Sequence, residues 1–336
     1  MKRYGNIFDD LTSTENLTAA HYEARVGKGK YRQVRKFDED VSGNVTRLRE
    51  SLVSGTWNVH PYRQFLAFDS GKVRVVDWNP CYSDNVVQHA IERTAGRILL
   101  ASGITDTYAG IRGRGIHKGV QRIRHFLSEY LEIQNIYILK MDIRKFYASI
   151  DHDVLKLKIR RKIKDRRVLE LFDKIIDSHS PGLPIGNYIS QLLANYYLSD
   201  YDHWVKDQGF RHYARYCDDI VVIHHDKQTL QRLKHDSLKY LSGIHLTVKE
   251  NHQVFPIERA GLDFLGYVFT RKKVLLRKSV ERKFRRVAYL FHKSPTIRNY
   301  RRLGAYWGWI KWLSSGERFW YSFFNKPLKQ LEAKNV

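Results

Sequence analysis

Hydrophobic spacing changes period several times along this chain, and each change marks an element. Residues 1–60 read as helical and polar; from Asp40 to Leu52 the apolar positions Val41, Val45, Leu48 and Leu52 fall on one helical face. Tyr62–Ala67 and Lys72–Asp77 then alternate or run apolar around Asp69-Ser70-Gly71, which predicts a hairpin. Helical spacing returns over Asp84–Leu100, where Val86, Val87, Ala90, Ile91 and Ile98 face a core. A Gly-rich loop follows, Ala109-Gly110-Ile111-Arg112-Gly113-Arg114-Gly115, and Gly119–Ile133 is a further helix. Tyr137–Met141 reads as a short, strongly apolar strand ending at Asp142. Asp153–Lys164 and Arg167–His179 are two helices, and Asp151 and Asp153, after the strand ending at Asp142, read as helix caps rather than ligands. Leu183–Val205 opens on a Pro-Ile-Gly turn and becomes one long amphipathic helix. His212–Tyr216, Asp218-Asp219 and Ile220–Ile223 form strand, turn and strand. Thr229–Ser242 is a helix, short strands follow near Leu246–Val248 and Phe264–Phe269, and a helical tail closes the chain. The pattern is α+β, with no internal repeat.

Two of these strands carry acids where acids are costly. Asp142 ends Leu139-Lys140-Met141-Asp142, and Asp218-Asp219 interrupts Arg215-Tyr216-Cys217-Asp218-Asp219-Ile220-Val221-Val222-Ile223. Asp is disfavoured in strands, desolvating an unpaired carboxylate is expensive, and adjacent carboxylates repel. A divalent cation relieves these costs, and Mg²⁺ takes a few carboxylates while leaving positions for phosphate oxygens and water. Phosphoryl transfer with two metal ions needs such a site. An isolated Asp-Asp is more often a plain hairpin turn; the flanking apolar strands and the separate Asp142 strand tip the reading toward chemistry.

Charge extends the picture. The 336 residues carry a formal net charge of +24, which calls for a polyanionic partner. Arg271 to Val336 holds 18 Lys and Arg against Glu281, Glu317 and Glu332, a net +15, together with Trp307, Trp309, Trp312 and Trp320. Cations attract phosphates and flat rings can stack on bases, although most of these rings are expected to form the small core of a helical unit. Cys81 and Cys217 make neither a disulfide framework nor a zinc-ligand pair and fit a reducing compartment. No stretch is long and apolar enough for a membrane span, and the expected location is cytoplasmic.

At these residues the chain resembles reverse transcriptases. Tyr216-Cys217-Asp218-Asp219 is similar to the family's YxDD box, and Lys140–Ile150 to the strand bearing its first catalytic Asp. The resemblance implies a right-hand polymerase: residues 1–136 as N-terminal extension and fingers, 137–270 as palm with an antiparallel sheet, and 271–336 as a helical basic thumb. It implies two Mg²⁺ ions, replaceable by Mn²⁺, on Asp142, Asp218, Asp219 and the backbone carbonyl of Ile143. Tyr147 would exclude ribonucleotides, with neighbouring Phe146 in the core. Arg74 and Lys72 on the fingers hairpin and Lys249 near Leu246–His252 would hold the incoming dNTP. Arg112, Arg114, Tyr216, Gly186 and Gln191 are candidates for template or primer contact, although a Gly-rich loop with solvated arginines is a weak signal by itself.

One block departs from most relatives. Leu183-Pro184-Ile185-Gly186-Asn187-Tyr188-Ile189-Ser190-Gln191 has Ile185 where most carry Gln, and ends in Ser-Gln rather than Ser-Pro. This form resembles the enzymes of diversity-generating retroelements. They copy a template-repeat RNA with errors at adenines and work with a structured RNA and a small accessory variability protein. Ile185 would then be part of the nucleotide site and contribute to low fidelity. The alternatives are an antiphage-defence or other bacterial retroelement enzyme and, from another class, a catalytically inactive polymerase-like RNA-binding scaffold. The last sits poorly with the retention of all three acids. Template RNA, the RNA/cDNA duplex and dNTPs are the expected partners.

Overall fold

The computed structural model describes residues 2–69 and 72–316. Helices Phe8–Thr12, Thr14–Ala24, Arg32–Asp38 and Val41–Val53 come first. Ser13 and Asp40 start two of them by accepting the Asn16 and Gly43 N–H groups, which meets donors that a helix start leaves open. Strands β1 (Arg63–Asp69) and β2 (Lys72–Trp78) form the expected hairpin, in the register Phe65↔Val76 and Ala67↔Arg74. Its Ser70-Gly71 turn lies outside the described residues.

Helix Tyr82–Ile91 continues through a π-turn, Glu92–Gly96, into Arg97–Leu100, where the spacing predicts one regular helix. The Gly-rich loop leads to helix Ile116–Ser128. The central sheet is built from β3 (Tyr137–Asp142), β4 (Tyr213–Tyr216), β5 (Asp219–His224) and β6 (Gln253–Pro256), all antiparallel, in the order β4-β5-β3-β6. A second, three-stranded antiparallel sheet follows: β7 (Leu262–Phe264), β8 (Tyr267–Phe269) and β9 (Val274–Leu276).

The central sheet is covered on both faces, which is why its strands read as apolar runs rather than as clean alternation. Leu139, Met141, Ile220 and Val222 join a core with the N-terminal helices and helices Arg166–Asp177 and Tyr188–Tyr197. Ile138, Val221 and Ile223 join another with Val120, Ile123, the second sheet and helix Lys278–Lys293. Among the described residues no helix is long and apolar enough to cross a membrane.

Several expected elements are revised. Leu246–Val248 is not a regular strand; only Val248 bridges to Ile143. The strand pairing beside β3 is β6, a segment too short and mixed to show a period. The long helix over Leu183–Val205 is two, Tyr188–Tyr197 and Ser199–Asp207, meeting at Leu198. The tail after residue 270 is not helical throughout: it opens with β9, which pairs with β8, before its helices begin. Asp151 does cap helix His152–Lys162, accepting from the Val154 N–H at 2.9 Å, and Asp153 sits in its first turn. Of the tail tryptophans, Trp309 stacks on Tyr267 with centroids 5.5 Å apart, and Trp307 and Trp312 pack against the same core. Trp320 lies outside the described residues.

Among the described residues, one ion pair between side chains is wholly interior. Arg215 and Asp202 have side chains 0% and 1% exposed and meet at 2.5 Å. Breaking such a pair leaves a charge in a medium that cannot solvate it. Asp202→Ala is therefore expected to lower unfolding free energy by about 3–5 kcal/mol, read from the urea midpoint. A change under about 1 kcal/mol, the size of an exposed pair, would reject this account.

Candidate active site

The register of the central sheet sets Asp142 at the end of β3 directly opposite Asp219 at the start of β5. Asp218 occupies the tight β4–β5 turn behind Cys217, whose φ is +57°. The turn is tied to β3 by the Ile143 N–H, which donates to the Asp218 carbonyl at 3.1 Å. On the other side the Lys249 N–H donates to the Asp142 carbonyl at 2.8 Å, and the Arg144 N–H to Thr247 at 2.7 Å. Asp142 and residues 76 to 107 positions further along the chain thus converge because two strand ends and one loop meet at one end of the sheet.

Two lysines answer the negative charge. Lys140 Nζ lies 2.6 and 2.9 Å from the two carboxylate oxygens of Asp219. Lys249 Nζ forms an ion pair with Asp142 Oδ1, a buried oxygen that has no hydrogen-bond donor among the described residues. Burial pushes the Asp219 carboxyl up to about 6, with Lys140 opposing and Asp142 and Asp218 adding to the rise. Burial, followed by the Asp142 charge, also raises Asp218. The three carboxylates are not drawn into one tight knot. The described His, Cys, Asp and Glu groups whose ligand atoms all lie within 4.8 Å are instead His60–Cys81–Asp84 and Glu23–His89–Glu92. Those have internal partners: Asp84 accepts from His60 and Asn79, Glu23 from Arg93, and Glu92 from Tyr188. The Asp142–Asp218–Asp219 group differs in kind, being all-carboxylate, mutually repelling and balanced by the Lys140 and Lys249 ammoniums. That donor chemistry fits hard divalent cations.

Tyr147 stands over the same turn. It lies in a short 3-10 helix, Phe146–Ser149, after Lys145 at φ +47°. Its hydroxyl accepts from Cys217 Sγ at 3.4 Å. Burial raises both groups, the thiol up to about 11, so both are neutral at pH 7. Phe146 is buried in the core. The Tyr147 carbonyl also accepts from the Leu183 N–H at 2.8 Å, which anchors the segment leading to Ile185.

Ile185 is 39% exposed, so it is not a core packing residue. Gly186 beside it has φ +109°, and a Cβ there would sit 2.8 Å from the Asp77 carbonyl and from the Val76 side chain. The Ile185-Gly186 turn thus lies against β2, and glycine permits both the backbone angle and the approach. Arg74 shares the Val76 face of β2, two residues away, and is exposed. The Lys72 side chain lies outside the described residues.

The remaining candidates divide. Arg112 is largely exposed and pairs with Glu23 at 3.5 Å. Arg114 is turned inward: its guanidinium donates to the carbonyls of Ile104 at 2.6 Å and Thr107 at 3.2 Å and braces the Gly-rich loop. Gln191 is exposed and packs against Gly110 of that loop. Tyr216 is half-buried against the second core. Sequence reasoning overlooked Lys140 and Arg215. Lys140 had a signal, since it lies two residues before Asp142 and so on the same strand face. Arg215 had none, because its partner Asp202 comes from another element.

The model of the family described as reverse transcriptase (RNA-dependent DNA polymerase) matches residues 85–269, more than half of the chain. The chain belongs to this family of RNA-directed DNA polymerases. It is similar to Protein YkfC of Escherichia coli K12, with 23% identity over 271 residues covering 67% of this chain and 71% of that protein. It is also similar to the group II intron-encoded protein LtrA of Lactococcus lactis subsp. cremoris, with 28% identity over 177 residues, 48% of this chain and 28% of that protein. A putative COX1/OXI3 intron 1 protein of Saccharomyces cerevisiae matches at 27% over 176 residues, 48% of this chain and 20% of its own length. Among solved structures, telomerase of Candida albicans in complex with a fragment of telomeric RNA superposes with a TM-score of 0.52 at 12% identity. The match covers 81% of this chain and 55% of that one. The fold is therefore the α+β right hand of such polymerases. The chain spans about half the length of that telomerase chain and under a third of the two intron-encoded relatives.

Proposed function

We propose that this chain copies RNA into error-prone cDNA as the reverse transcriptase of a diversity-generating retroelement. The observation that carries the polymerase reading is the direct opposition of Asp142 and Asp219 across β3 and β5, with Asp218 on the turn between. Asp142, Asp218 and Asp219, with the Ile143 carbonyl, would hold two Mg²⁺ or Mn²⁺ ions. The chemistry such ions supply is activation of a primer 3′-hydroxyl and neutralisation of the leaving pyrophosphate. The protein's own work is positioning and electrostatics. Lys140 and Lys249 keep the acids from splaying apart by mutual repulsion. Arg74 and Lys72 on the hairpin, and Lys249 once released from Asp142, attract the dNTP triphosphate. Arg112 offers an exposed charge to template phosphates, while Tyr216, Gly186 and Gln191 border the nucleic-acid path.

In this reading residues 1–136 supply the N-terminal extension and fingers, 137–270 the palm and 271–336 the thumb. Tyr147 bars the sugar 2′-hydroxyl. Tyr147→Val is expected to raise ribonucleotide use at least tenfold, measured as the ratio of rNTP to dNTP incorporation; an unchanged ratio removes Tyr147 from that role.

The retroelement subtype rests on the IGxxxSQ block and on the exposure of Ile185 beside the hairpin. The partners are template RNA, the RNA/cDNA duplex and a small accessory variability protein. The test is to sequence cDNA made from a defined RNA template, with and without a co-expressed small neighbouring protein. Errors concentrated at template adenines support the subtype. Evenly low errors reject it and leave a reverse transcriptase of another retroelement or of antiphage defence.

A further inference from the structure

The turn that carries Asp218 rests on a buried cation that the chemistry above does not use. Arg215 spends all five of its N–H donors. Nε and Nη2 donate to Asp202 Oδ1 and Oδ2 at 2.7 and 2.5 Å. Nη1 donates to the Cys217 carbonyl at 2.9 Å and to Asn195 Oδ1 at 3.2 Å. The second Nη2 hydrogen reaches the Asn195 carbonyl at 3.4 Å. Asp202 is in turn fixed by the hydroxyls of Tyr213 and Thr107.

Cys217 is what this arrangement holds. Its left-handed backbone is unfavourable for a residue with a side chain and persists only where the surroundings impose it. A charged donor on its own carbonyl is such an imposition, and Asp218 is the next residue. The same network reaches the Gly-rich loop. Asn195 Nδ2 donates to the Ala109 carbonyl at 2.7 Å. The Arg215 backbone bonds Asp106 through its N–H and Tyr108 through its carbonyl, both at 3.0 Å.

We propose that Arg215, held by Asp202 and Asn195, is a positioning residue that fixes the Cys217 backbone, aims Asp218 at Asp142, and couples the Gly-rich loop to the acid-bearing turn. The inference rests on reading the three acids as a cation site. A lysine would keep one positive charge beside Asp202. It is a point donor on a flexible stem and cannot also span to Cys217 and Asn195 as the planar guanidinium does.

The test compares wild type, Arg215→Lys and Asn195→Ala, the last keeping the Arg215–Asp202 pair. Thermal midpoint, binding of Mn²⁺ alone by calorimetry, and kcat and KM for single-dNTP addition are measured on each. In Arg215→Lys the Mn²⁺ Kd is expected to rise and kcat to fall, each roughly tenfold or more, with KM for dNTP within about twofold. Asn195→Ala is expected to move the same quantities in the same direction by less, and it decides alone if Arg215→Lys does not fold. Folded variants with wild-type Mn²⁺ affinity and kcat, lowered only in midpoint, overturn the proposal. A wild type that makes no cDNA, while the variants still lose Mn²⁺ affinity, upholds the positioning role and overturns the polymerase reading instead.

Discussion

Asp142→Asn is expected to reduce cDNA synthesis by about a thousandfold or more while leaving the fold and RNA binding near wild type. The factor corresponds to about 4 kcal/mol of transition-state stabilisation, the scale on which bound metal ions act. Asn keeps the shape of the side chain but removes the charge that a divalent ion needs. The fold tolerates the change for two reasons. Asp142 raises its neighbour Asp218 by repulsion, so removing its charge relieves strain in the cluster. Lys249, its present partner, is 39% exposed at the side chain and can turn to water. RNA binding draws on the net charge of +24, which one substitution barely alters. Primer extension, urea unfolding and filter binding on one preparation check the three parts together. A variant with wild-type cDNA yield would falsify the assignment of Asp142.

A further effect is expected at Ile185. A glutamine there should lower misincorporation at template adenines by roughly twofold to tenfold, from a net hydrogen bond of about 0.5–1.5 kcal/mol. Ile185 is exposed beside the hairpin; if it borders the incoming nucleotide, as proposed, it offers no hydrogen bond and a mispaired nucleotide would lose little relative to a correct one. A glutamine amide reaching the correctly paired nucleotide would restore that difference. The substitution is conformationally mild, because the strained backbone belongs to Gly186 and not to Ile185. Sequencing of cDNA from the variant, at matched yield, reads the effect. Error spectra identical to wild type would show that Ile185 does not set fidelity and would leave the cause of the IGxxxSQ departure elsewhere.

Much of the site was legible because acids in apolar strands announce themselves. The β3 and β4–β5 segments are buried on both faces, so they are strongly apolar apart from Lys140 and Arg215, and their carboxylates stand out. The hairpin at 63–78, the Asp151 cap and the inward packing of Trp309 were likewise written locally, in alternation, in a capping residue and in an apolar helix face. By itself, then, the sequence determined the α+β pattern, the three acids and the polyanion-seeking charge, since each depends on residue type and on neighbours a few positions away. Only the tertiary structure decided the rest. It set Asp142 opposite Asp219, paired Lys140 and Lys249 with them, turned Arg114 inward to brace its loop, and buried Arg215 against Asp202 beneath the turn. It also split the helix after Leu183 and placed β6 beside β3. These features are pairings between segments far apart in the chain. Strand register, ion-pair partners and burial are properties of the packed molecule, and no local period encodes them.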